Sequence, residues 1–198
     1  GYFIEFGGQF EAQKGASRRI AFLSFFVVAG IFLVLYAHFR SWRIAVQIML
    51  NIPLALVGAV TAVWMTGGTF SVATLVGFIT LTGIASRNGI MMISHYLHLM
   101  EHEGERFSKQ MIVRGTLERL VPVLMTALVA ALALIPLTLD AQAAGKEILY
   151  PVATVILGGL LSSTLLDMVV TPAVFWAWGQ SAVKEYFEGK KQHHIFDL

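Results

Sequence analysis

The 198-residue sequence is 57% hydrophobic and only 13% charged, with a mean hydropathy of +0.72, a balance outside that of soluble domains. It has no cysteine, which excludes disulfides, thiolate metal ligands and cysteine nucleophiles. The formal net charge of +2 carries information only once the charges are placed along the chain. Apolar stretches consume most of the length, so one membrane domain is expected and no second globular one.

Gly1 opens a stretch, GYFIEFGGQFEAQKG, that resembles neither a start-codon product nor a signal peptide. The chain is therefore expected to be a piece of something longer. Tyr2 and Ile4 alternate with Phe3 and Glu5 and read as a short strand, the remnant of a preceding domain ending near residue 18.

Five segments then follow that are long and apolar enough to cross a hydrocarbon core about 30 Å thick, which takes about 20 helical residues. They are 20–39, 44–65, 70–100, 121–139 and 148–178. The expected fold is all-α, a multi-helix transmembrane bundle over 19–180, with a tail from 181 to 198. The third and fifth segments run roughly 45 Å at 1.5 Å per residue, so they should tilt or protrude into water. Most connections are short. The polar stretch 101–120 reads as an amphipathic surface helix beginning after Gly104, because Phe107, Met111 and Leu117 recur among charges.

Orientation follows from the basic residues. With the amino end outside, the inner loops and tail hold Arg40, Arg43, Arg106, Lys109, Arg114, Arg119, Lys184, Lys190 and Lys191, against Lys14, Arg18, Arg19 and Lys146 outside. Positive residues favour the inner face, so the amino end is expected out and the carboxyl end in. Trp42, Trp176, Trp178 and Tyr186 gather at the same inner face, as interfacial aromatics do, whereas Trp64 and Tyr150 mark the other side.

Arg87 interrupts the third apolar segment. A guanidinium there costs at least about 2.5 kcal/mol and normally faces a cavity or a carboxylate partner, so Arg87 reads as part of an ion or proton pathway, or else as an arginine snorkelling to the headgroups. Asn88 follows and can share its hydrogen bonds. Asp167 interrupts the fifth segment and reads either as a partner for Arg87 or as a carboxylate capping a kink before Pro172. Thr126 comes one turn after Pro122, where its hydroxyl can satisfy a carbonyl freed by the proline or bridge a proton path. Gly158 and Gly159 with Ser162 and Ser163 give a small-residue face for close helix packing.

Two patterns carry weaker metal readings. His98, Glu101 and His102 form H-x-x-E-H, the inverted zincin spacing, here at a membrane boundary where a solvated helix end is the plainer reading. His95 lies on the same helical face, while His193 and His194 fall in the tail. The eight methionines, Met91 and Met92 among them, can pass a soft ion such as Cu(I) or simply fill apolar cores.

Taken together, GYFIEFGGQFEAQ, the FRSWR turn with NIPLALVGA after it, GIASRNGIMMISH, VPVLMTALVA and GKEILYPVATVILGGLLSSTLL resemble the end of a resistance-nodulation-division (RND) efflux permease. GGQFE and GGLLSSTLL most resemble the heavy-metal efflux, CzcA-like branch. The resemblance implies a proton antiporter rather than an enzyme: a trimer in the bacterial inner membrane, embedded in lipid, passing metal ion cargo to a periplasmic adaptor protein and an outer-membrane channel. It implies no cofactor and no nucleic acid. In the multidrug branch a lysine in the third of these helices pairs with aspartates on a helix from the first half of the protein. Arg87 takes that lysine's place, followed likewise by Asn88, and the relay threonine and a nearby arginine fall on Thr126 and Arg119. Arginine keeps the charge but releases no proton at ordinary pH, so Arg87 is expected to be a fixed counter-charge. The aspartate-bearing helix and the porter domains lie outside this sequence, and Asp167 is unusual for its block. Drug or amphiphile cargo is the alternative on the same mechanism; a non-transporting helical scaffold or truncated gene product, and a zinc hydrolase on His98 and His102, are alternatives of other classes.

Overall fold

The computed structural model describes residues 9–68, 70–139 and 146–196, with side chains described between 15 and 188. The strand expected at 2–5 lies outside these residues. Among the described residues all regular structure is helical: α1 Gln9–Phe39, α2 Trp42–Met49, α3 Asn51–Met65, α4 Val72–His102, α5 Lys109–Thr138 and α6 Leu149–Phe196.

Five helical stretches are long and apolar enough to span a membrane, with α2 and α3 together making the second, Trp42–Met65. The break at Leu50 inside that span has a local cause. Pro53 has no backbone N–H, so the carbonyl of Met49 loses its helical donor. The Leu50 N–H is instead shared between the Val46 and Gln47 carbonyls at 3.0 and 3.2 Å. The starts of α2, α4 and α5 are each capped by a serine. Ser41 opens α2 and accepts from the Ile44 N–H, Ser71 and Thr74 form a capping box on α4, and Ser108 accepts from the Met111 N–H at the start of α5. Gly104, at φ 70°, turns the chain out of α4.

The separate surface helix expected over 101–120 does not form. Its first residues end α4 and its remainder is the opening of α5, which runs unbroken through Pro122 and Pro136. Ser108 supplies the start signal, and nothing between Leu120 and Val121 stops the helix. At the other end α6 continues through the expected tail to Phe196.

α6 is the packing axis, touching α3, α4 and α5 along its length. The small-residue face makes this possible. A Cβ at Gly58 would overlap Ser162, one at Gly158 would overlap Ala62, and one at Gly159 would overlap Leu81, so α3 approaches α6 at backbone distance while the Leu81 side chain of α4 seats over Gly159. Ser162 Oγ donates across that contact to the Leu54 carbonyl at 2.9 Å. Two apolar clusters fill the interior. One joins Ala55, Ala59, Val63, Leu81, Ala85 and Val155; the other gathers Phe39, Ile48, Met92, Tyr96, Met111 and Phe175 at the opposite end. The outward faces carry large apolar side chains, such as Phe22, Phe25, Leu128 and Leu165, as a lipid-facing surface does.

Candidate functional site

Arg87 lies halfway along α4, roughly 22 Å from its start at 1.5 Å per residue. The neighbouring α5 brings Thr126 to the same level. The two line one cavity of about 380 Å³, together with Thr80, Gly83, Ile84 and Asn88 of α4, Ala130 of α5 and Leu160 of α6. Gly83 has no neighbour within 4 Å of where a Cβ would stand, which leaves the cavity wall open beside Arg87. The cavity is thus apolar except for one guanidinium, one amide and two threonine hydroxyls.

Within it, the Thr126 hydroxyl donates to the Val123 carbonyl at 2.9 Å. The carbonyl deprived of a donor by Pro122 is that of Glu118, four residues before the proline, so Thr126 does not repair the proline gap. It back-bonds in the ordinary way and keeps its oxygen free to accept on the cavity side. Among the described residues Arg87 has neither an ion pair nor a hydrogen bond. Arg87 is exposed on the face of the bundle at mid-span, so its positive charge is open to whatever packs against that face.

Asp167 does not finish it. Its side chain is 2% exposed and accepts from the hydroxyl of Thr171, one turn on along α6, which also stands 3.0 Å from Asn51 Oδ1. Gln47 Nε2 reaches the Thr171 carbonyl at 3.5 Å. The carboxyl therefore bonds within α6, where Thr171 makes the contacts to the α2–α3 break, and the pairing of Asp167 with Arg87 suggested by the sequence is not formed.

Arg119 stands outside the cavity as well. It lies two turns from Thr126 on α5, with its Nη2 3.5 Å from His95 Nδ1 and its Nε buried without a partner. His95 Nε2 lies 2.7 Å from Glu118 Oε2. The other Glu118 oxygen accepts from Arg114 Nε at 2.8 Å, and Arg114 also binds Glu105 at 2.8 Å and Glu103 at 2.6 Å. This network closes the connection between α4 and α5. The rings of His98 and His102 stack with centroids 4.4 Å apart, and no group of three histidine or carboxylate side chains suited to a metal ion forms among the described residues. The H-x-x-E-H spacing therefore does not close into a zinc centre there.

Three of the residues singled out by sequence, Arg87, Asn88 and Thr126, converge, while Arg119 and Asp167 belong to separate polar clusters. The sequence reading missed the Asn51–Thr171 contact, whose signal was only a polar residue just before Pro53. It also missed the role of Glu118 as the hub of the α4–α5 network.

Residues 1–178 match the model of the AcrB/AcrD/AcrF family. The chain is 38% identical over 195 residues to Protein HelA of Legionella pneumophila, covering 98% of this chain and 18% of that protein. It is 38% identical over 175 residues to the cobalt-zinc-cadmium resistance protein CzcA of Cupriavidus metallidurans, covering 88% and 16%, and 32% identical over 184 residues to the cation efflux system protein CusA of Escherichia coli K12, covering 88% and 18%. A crystal structure of a heavy metal efflux pump superposes with a TM-score of 0.76 at 36% identity, covering 90% of this chain and 18% of that one. The chain thus spans about a sixth of the length of these relatives.

Proposed function

This chain belongs to the AcrB/AcrD/AcrF family of resistance-nodulation-division permeases, and we propose that it forms the carboxyl-terminal, proton-coupling helices of an exporter of heavy-metal cations. Heavy-metal relatives at 32–38% identity support the cargo class. The observation that carries the coupling role is the shared cavity of Arg87 and Thr126, with the guanidinium unpaired.

In this reading Arg87 is a fixed positive charge that holds deprotonated carboxylates of a helix supplied by the rest of the protein. Protonating those carboxylates weakens the attraction and frees the helices to shift, while Thr126 and Asn88 offer hydrogen bonds to the moving proton. Arg119 takes no part in the cavity itself and acts further along α5. The carboxyl-terminal tail lies in the cytoplasm and the amino end in the periplasm, following the basic residues of the inner loops. The working assembly is a trimer in the inner membrane with a periplasmic adaptor protein and an outer-membrane channel.

Metal tolerance of a sensitive strain carrying the full-length gene tests this. Protection against zinc, cobalt, cadmium, nickel, copper or silver, lost in Arg87→Ala at unchanged membrane abundance, is the expected outcome. Protection against dyes or antibiotics alone would overturn the metal reading, and full protection by Arg87→Ala would overturn the coupling role.

A further inference from the structure

The cavity and the His95 cluster share one seam. α4 and α5 run antiparallel, with Tyr96 bonded to Thr116 and His95 to Glu118. Residues seven apart on a helix return to nearly the same face after two turns, roughly 10.5 Å along the axis. Asn88 and His95 are so related on α4, and Thr126 and Arg119 on α5. The layer of Arg87, Asn88 and Thr126 is therefore followed, two turns nearer the α4–α5 connection, by a layer of His95 and Arg119.

The chemistry of the partners suits one tautomer of the ring between them. A guanidinium can only donate, so His95 Nδ1 presents a lone pair to Arg119 Nη2 at 3.5 Å. An ionised carboxylate can only accept, so Nε2 carries the hydrogen that points at Glu118 Oε2, 2.7 Å away. In that tautomer the ring turns its acceptor to Arg119 and its donor to Glu118. His98, whose ring centroid is 6.5 Å away on α4, and Arg114, bound to the second Glu118 oxygen, are the other titratable or charged groups near it. Glu103 and Glu105 reach the cluster only through Arg114.

We propose that His95 is the proton carrier at the inner end of the α4–α5 seam, taking a proton at Nδ1 from the cavity side and releasing one from Nε2 to Glu118. The inference rests on the proton-driven reading above. A proton arriving through water from the Arg87–Thr126 layer bonds to Nδ1 and makes an imidazolium. The Arg119 contact, which needed that lone pair, then opens between two cations. The Nε2–H bond breaks toward Glu118, leaving a neutral ring with hydrogen on Nδ1 and a protonated carboxyl. Glu118, 39% exposed at its side chain, passes its proton to inner-side water, and the ring resets by losing the Nδ1 hydrogen to that same water and gaining one from it at Nε2, so that no proton returns to the cavity. Imidazole suits the role because its charge changes between about pH 5 and 8.

The test uses the full-length protein in liposomes, with metal-driven proton flux read by a trapped pH dye while the inner-face medium is stepped between about pH 5.5 and 8.5. Wild type is expected to show an inflection in this range; His95→Gln, inserted and assembled as wild type, loses about tenfold or more of the flux at neutral pH and loses the inflection. Wild-type flux and inflection in His95→Gln would overturn the proposal while leaving proton coupling in place. Metal movement without any proton flux in wild type would instead overturn the proton-driven reading and this inference with it. Glu118→Gln, which keeps the imidazole, covers the case of a misfolded His95 variant: reduced flux is expected, and undiminished flux would overturn the release step.

Discussion

Arg87 on α4 and Thr126 on α5 open onto the same cavity, although 39 positions and the α4–α5 turn separate them in the chain. The two helices bring a fixed cation and a hydroxyl to one level of an apolar bundle, where among the described residues the other polar side chains lining the cavity are Asn88 and Thr80. That juxtaposition makes separate demands on each residue, and those demands can be measured apart.

Thr126 is exposed to the cavity and its hydroxyl is tied only to its own helix. Thr126→Val keeps the shape and removes the oxygen, so folding stability should change by less than about 0.5 kcal/mol. Metal tolerance should nevertheless fall. Thermal unfolding in detergent together with a tolerance assay separates the two effects.

Gly58 and Gly158 set the α3–α6 distance. A Cβ at Gly58 would overlap Ser162 and stand 2.5 Å from the Gly158 carbonyl, which is backbone and cannot rotate away. Gly58→Ala should therefore destabilise by about 1–3 kcal/mol, the usual range for overpacking. Gly30→Ala, inside α1 where nothing lies within 4 Å, is the matched control and should leave the unfolding temperature unchanged or slightly raised, since alanine favours a helix interior over glycine.

Asp167 is expected to be structural, bonded within α6 to the Thr171 that contacts the α2–α3 break. The Thr171 hydroxyl has one hydrogen and two oxygen neighbours, Asp167 and Asn51. An amide at 167 can donate to Thr171 and let the hydroxyl serve Asn51, so Asp167→Asn should keep membrane abundance and metal tolerance within about twofold of wild type. Asp167→Leu removes one acceptor and leaves the Thr171 hydroxyl to Asn51, so it should lower stability by about 0.6 kcal/mol, the average for hydrogen bonds in a membrane helix bundle. A tolerance loss in Asp167→Asn at normal abundance would move Asp167 into the transport machinery.

Arg114 closes the α4–α5 connection through Glu103, Glu105 and Glu118. All four side chains are substantially exposed, so solvent screening leaves the pairs little weight in global stability. Arg114→Gln should leave the unfolding temperature nearly unchanged yet speed amide exchange across residues 103–108. The same increase should appear in wild type at high salt, where exposed pairs are screened.

The membrane spans were legible because each needs about 20 apolar residues in a row, and few other structures ask for that. Their ends were less so: the 101–120 stretch had an amphipathic pattern, but a Ser108 cap and an uninterrupted run into Val121 fused it to α5. The small face of Gly158 and Ser162 was readable as packing, whereas its partners Gly58 and Ala62 needed the relative position of α3. Arg87 announced itself by its cost in an apolar segment. That it meets Thr126 but not Asp167 depends on the register between α4, α5 and α6, which is set by side-chain packing distant in sequence. The His95–Arg119 layer depends on the same register, and only the repeat of seven hinted at it.

The central claim is that Arg87 serves proton coupling as a permanent charge. Its most direct test is the ratio of protons to metal ions moved by the full-length protein in liposomes, compared among wild type, Arg87→Lys and Arg87→Ala. The lysine variant, which keeps the cation at the same depth, is expected to retain coupled flux, and the alanine variant to lose metal-driven proton movement by about tenfold or more while remaining inserted. A wild-type ratio and rate in Arg87→Ala would contradict the account.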